Sequence, residues 1–105
     1  MIFSRSNLPD IPPFLMKLVE RIAKIPGVCR VVLFGSRARG DNEPRSDIDL
    51  AVEMDRPDLP EWYEIEEIVE EAPTLLSIDL VRWDRASEEL LANIRKDGIT
   101  LYEKR

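Results

Sequence analysis

Apolar side chains near the start of the chain return at helical spacing: Phe14, Leu15, Leu18, Val19, Ile22 and Ala23 fall on one stripe. The pattern predicts a helix that begins near Pro12 and Pro13, where missing amide hydrogens cost little, with Asp10 as its cap. Pro26-Gly27 stops it, and residues 1–8 read as a loose lead-in. From Val28 to Phe34 the chain is mostly β-forming, broken by Arg30, which predicts a strand buried on at least one face. Gly35-Ser36 ends that strand, and residues 37–46 are polar and turn-rich, with room for one helical turn at their start.

Alternation resumes at Asp47 and runs to Glu53. Ile48, Leu50 and Val52 point one way while Asp47, Asp49 and Ala51 point the other. An acidic helix follows over residues 61–71, with Trp62, Ile65, Ile68 and Val69 turned inward and Pro73 as its end. Leu75 to Trp83 reads as a third strand. A helix then starts at Asp84 or Ser87 and continues to Lys96, burying Leu90, Leu91 and Ile94, with Gly98 as its C-cap. Ile99 to Tyr102 reads as a short last strand at a sheet edge. Helix, strand, strand, helix, strand, helix, strand describes a small α/β (α+β) domain: a mixed β-sheet with flanking helices, occupying residues 1–105 as one unit.

Composition narrows what such a domain can do. A net charge of -6 opposes non-specific binding to nucleic acid or to an anionic membrane. The chain has no His, which removes histidine triads and histidine zinc sites. Cys29 is the single cysteine, so no internal disulfide forms, and its place in an apolar run reads as a buried thiol. No apolar stretch at the N-terminus resembles a signal peptide or a spanning helix, and a cytoplasmic setting is expected. Trp62, Tyr63 and Trp83 read as core or interface residues. The run Glu61, Glu64, Glu66, Glu67, Glu70 and Glu71 reads as a solvated helix face.

Three features carry chemistry. Gly35-Ser36 directly follows a strand, where a glycine lets phosphate approach the backbone and a hydroxyl and amides donate to it. Asp47 and Asp49 stand two apart, which places both carboxylates on one face, where they repel unless a cation lies between them. Asp79 is an acid inside the β-forming run Leu75–Val81; if its strand lies beside the Asp49 strand, a three-carboxylate cluster results. Oxygen donors at this density suit Mg²⁺, which keeps positions open for water and substrate phosphates. Two ions would serve Asp47, Asp49 and Asp79, with Asp79 as a ligand of the second ion or as a direct base.

Leu33-Phe34-Gly35-Ser36-Arg37-Ala38-Arg39-Gly40, ten intervening residues between Ser36 and Asp47, Ser46-Asp47-Ile48-Asp49-Leu50-Ala51-Val52, and Ile78-Asp79-Leu80-Val81 together resemble one family. It is the minimal nucleotidyltransferases of the DNA polymerase β-like superfamily, the group that supplies the antitoxin of HEPN–nucleotidyltransferase pairs. The resemblance runs from about residue 14 to the C-terminus. It implies a polymerase β-like palm fold, triphosphate binding at Gly35 and Ser36, metal binding and catalysis at Asp47, Asp49 and Asp79, and Mg²⁺ with ATP as cofactor and substrate. Arg37 and Arg39 would contact phosphate or the acceptor, or lie as surface charges; Ser46 would organise the turn before the strand. Larger relatives close a second domain over the base, whereas only 26 residues follow Asp79 here, so a partner is expected to supply acceptor and enclosure. That partner would be a helical HEPN-type protein receiving AMP on a hydroxyl, foremost a tyrosine. The alternatives are a non-catalytic antitoxin that masks its partner and the catalytic subunit of a two-protein transferase acting on a small molecule.

Overall fold

The computed structural model describes residues 11–55 and 60–104. Helix α1 spans Phe14–Ala23, and strand β1 spans Val28–Phe34. The short helix α2 covers Ser36–Arg39, strand β2 Ile48–Met54 and helix α3 Glu61–Glu70. Strand β3 is Ile78–Arg82, a 3-10 turn covers Trp83–Arg85, helix α4 is Glu88–Asp97, and strand β4 is Ile99–Glu103. The four strands make one mixed sheet in the order β3-β2-β1-β4, with β1 antiparallel to β2 and to β4, and β2 parallel to β3. This is the small mixed sheet with flanking helices that the residue pattern predicts.

Period-two alternation sorts the sheet into two faces. Ile48, Leu50, Val52 and Met54 of β2 join Val31 and Leu33 of β1 under α1 and α3, where Leu15, Val19, Ile22 and Ile65 are fully buried. On the other face Val32 and Ala51 pack under Leu91 and Ile94 of α4, with Phe34, Val81 and Trp83 at the margins. The larger face owes its burial to two amphipathic helices, the smaller to one. Burying a Leu or Ile side chain stabilises by about 1.5–3 kcal/mol, so the α1/α3 face carries most of the core.

Several boundaries move for local reasons. β3 begins at Ile78 rather than Leu75, because residues 72–76 close a turn in which the Leu76 amide donates to Thr74 Oγ1 at 3.0 Å. Pairing starts only where Ile78 meets Ile48. Trp83 leaves the strand for the 3-10 turn, and Ser87, not Asp84, caps α4 by accepting from the Leu90 amide at 3.1 Å. Gly98 ends α4 as expected, but with an ordinary φ of -67. A Cβ there would run into the Ile94 carbonyl and stand 2.7 Å from Val32, so space rather than backbone freedom asks for glycine. The expected Asp10 cap lies outside the described residues; α1 starts on Pro13 without a side-chain cap. Among the described residues no helix is long and apolar enough to cross a membrane.

Candidate active site

The end of the sheet where β1 finishes and β2 and β3 begin gathers the expected residues. Asp49 is the second residue of β2; its register partners are Phe34 on β1 and Asp79 on β3. All three therefore stand on the α4 face of the sheet, beyond the part that Leu91 and Ile94 cover. Asp79 is exposed and Asp49 half-buried. Asp47 lies one residue ahead of β2 and is exposed, so its side chain is not held by the strand pairing that fixes Asp49.

Crowding of like charges leaves a clear signature. The Asp49 carboxyl is pushed up from the ordinary 3.8 to about 6, first by burial, then by the charge of Asp79 and a hydrogen bond between the two carboxyl groups, and then by Asp47. Arg39 pulls the other way, favouring the charged form, which places its guanidinium within electrostatic reach of the site. Arg39 is otherwise exposed and ion-paired to Asp41 at 3.1 Å.

The turn after β1 is shaped around Asp49. Gly35 adopts φ 75 and ψ -157, a conformation open essentially to glycine alone. A Cβ on Gly35 would collide with Asp49 Oδ2. The glycine thus permits the strand to turn and lets the carboxylate lie against bare backbone. Ser36 opens α2, whose first amides have no partner within so short a helix; the Ala38 and Arg39 amides close back on the Gly35 carbonyl at 3.1 Å.

Arg37 is not the surface charge that one expectation made of it. It is only 4% exposed, and its guanidinium faces the loop before β2. Nε donates to the Ser46 carbonyl at 3.1 Å, while Nη2 donates to Ser46 at 2.9 Å and to Pro44 at 3.0 Å. Nε and Nη2 hold the backbone that leads directly into Asp47, so Arg37 positions the site. Ser46 organises that turn as expected, its Oγ accepting from the Glu43 amide at 2.9 Å. The clamp was not legible in the sequence, since one arginine among several polar residues carries no sign of burial. Cys29 stands apart and is half-buried rather than buried, with its thiol pushed above the ordinary range by burial and by Asp55 and Glu53, which disfavours the thiolate.

The donor set fits a hard divalent cation. Asp49 and Asp79 stand side by side as like charges that a cation between them would relieve, and both offer oxygen donors. Among the described residues no three acidic groups form a ready-made metal cage. Mg²⁺ does not ask for one, because it binds through one or two carboxylates together with substrate phosphates and waters.

A mixed sheet that presents paired carboxylates beside a glycine turn at one end defines a nucleotidyl-transfer class of protein. The family model described as polymerase beta, nucleotidyltransferase, matches residues 16–105, and the chain belongs to that family. Two Methanocaldococcus jannaschii proteins, both provisionally named protein adenylyltransferases, are similar to it. One is 40% identical over 77 residues, covering 71% of this chain and 77% of the relative. The other is 32% identical over 76 residues, covering 71% and 87%. Among solved structures, a toxin–antitoxin crystal structure with AMP-PNP matches with a TM-score of 0.65 at 26% identity, over 88% of this chain and 73% of that one. A complex of a tri-AMPylated Shewanella oneidensis HEPN toxin with its MNT antitoxin matches with a TM-score of 0.58 at 25% identity, over 86% and 67%.

Proposed function

We propose that this chain is an Mg²⁺-dependent nucleotidyltransferase that moves AMP from ATP to a hydroxyl, foremost a tyrosine, of a helical HEPN-type toxin, and so serves as its antitoxin. The observation that carries this reading is the register that sets Asp49 beside Asp79, with the Gly35 turn against the Asp49 carboxylate. The names of the relatives, protein adenylyltransferases and an MNT antitoxin bound to an AMPylated toxin, support the choice of AMP and of a protein acceptor.

In the reaction the acceptor oxygen bonds to the α-phosphorus, the bond from that phosphorus to the oxygen bridging to the β-phosphate breaks, and pyrophosphate leaves. Gly35 and Ser36 lie where the triphosphate would approach the backbone. Asp47 and Asp49, with Asp79, would hold the metal, which when bound screens the phosphates and lowers the pKa of the acceptor hydroxyl. Asp79, exposed on the edge strand, would serve as a ligand of the metal or as the base that accepts the hydroxyl proton. Arg39 is the cation whose charge acts on Asp49 and is our candidate for phosphate contact, while Arg37 keeps the Pro44–Ser46 backbone in place.

ATP labelled on either the α- or the γ-phosphorus distinguishes the possibilities when incubated with this chain and the HEPN-type protein. Label on the HEPN-type protein from the α position alone, abolished by EDTA, is the expected result. A stable complex that takes up label from neither position would instead indicate masking by binding.

A further inference from the structure

β3 is an edge strand, and the groove between it and α3 is only partly filled. Trp62, Glu66, Val69 and Glu70 of α3 face Ile78 and Leu80 of β3 across a cleft of about 200 Å³. The apolar members are half-buried against the main core, and the Arg82 guanidinium stands over the Trp62 ring at 5.3 Å. The two most exposed large apolar side chains of the described residues belong to the same segment: Tyr63 on α3 at 72% and Leu75, three residues before β3, at 106%. Isolated exposed apolar residues need no explanation, but these two adjoin in sequence the elements that line the cleft, Tyr63 beside Trp62 and Leu75 ahead of Ile78.

The rim indicates what seats there. Glu66 and Glu70 are like charges one helical turn apart, an arrangement that destabilises a helix unless a cation lies between them. Among the described residues neither has an ion-pair partner. Helix α3 carries no Lys or Arg of its own. A second copy of this chain would bring the same carboxylate rim and a net charge of -6, so self-association through this groove sets like against like.

The groove also has a fixed relation to the reaction centre. Ile78 and Leu80 form its floor, and Asp79 sits between them on the opposite face of the same edge strand. A body seated along this edge stands beside the Asp79 carboxylate without crossing α4.

We propose that the α3–β3 groove is the docking surface for the acceptor protein, which inserts a helix with an apolar ridge flanked by Lys or Arg. This rests on the protein-acceptor reading above. Calorimetric titration with the HEPN-type protein of the same genome tests it, using Leu75→Ser, the double variant Glu66→Lys/Glu70→Lys, and Asn93→Lys on α4 as a control. Because these positions are exposed, the folded state and Mg²⁺-ATP binding should be unchanged, while each groove variant weakens the Kd by about tenfold or more. Asn93→Lys should bind as the unmodified chain does. Affinities within about twofold for the groove variants, or no binding by the unmodified chain, would overturn the proposal. A dimer of this chain in sedimentation that Leu75→Ser dissolves would assign the groove to a second copy and overturn it as well. Groove-dependent binding without AMP transfer would remove the transfer reading and leave the docking surface standing; transfer with groove-independent binding would do the reverse.

Discussion

At the scale of single residues, the site trades stability for charge density. Asp49 keeps its proton up to about 6 in the folded chain, whereas an unfolded aspartate releases it near 3.8. Between those values the native state binds more protons, so stability falls as pH rises through about 4 to 6 and stays lower above. Asp49→Asn removes the charge and should raise stability at pH 7 by about 1 kcal/mol in EDTA, a figure reduced for solvent screening at a half-buried carboxylate. The gain should vanish near pH 4, and thermal unfolding followed across pH 4 to 8 would show whether it does. Arg37 works in the opposite sense. Arg37→Ala leaves the Pro44 and Ser46 carbonyls without their donors and should cost about 2–4 kcal/mol in urea unfolding. Lys restores charge but not the planar fork, so Arg37→Lys should recover only part of that loss. Gly35→Ala meets both an excluded backbone conformation and the Asp49 carboxylate. It should cost about 1–3 kcal/mol and remove transfer activity while the protein remains folded, which circular dichroism beside an activity assay would establish.

Elements were more legible in the sequence than the contacts between them. The helices α1, α3 and α4 each show a stripe and a stop, and the condition set for Asp79, a strand lying beside that of Asp49, is met. What alternation does not encode is where pairing begins. Leu75 is β-forming by type yet wholly exposed, because the turn closed by Thr74 delays the strand until Ile78 finds Ile48. Asp47 illustrates the same point: spacing by two places it with Asp49, but the strand starts one residue later and leaves Asp47 on the loop that Arg37 anchors. Gly98 was assigned to the right place for the wrong cause, since its φ is ordinary and the Ile94 carbonyl and Val32 fill the space around it. Gly98→Ala should therefore destabilise by about 2–3 kcal/mol, more than the loss of a C-cap alone, as judged by the urea midpoint.

For the whole molecule, the sheet acts as a divider of labour. α1 and α3 bury one face and supply most of the core, while α4 covers half of the other and leaves the β1–β2–β3 end open for chemistry. The open end offers carboxylates, a glycine turn and one nearby arginine, but among the described residues nothing encloses a base or an acceptor. The most direct test is intact-mass spectrometry of the complex with the HEPN-type protein, first shown to be unmodified and then incubated with ATP and Mg²⁺. A gain of one or more AMP units on the partner, absent when this chain carries Asp47→Asn and Asp49→Asn but still binds, is the predicted result. An unchanged partner mass from an intact, metal-supplied complex would contradict transfer and leave this chain as an antitoxin that works by binding.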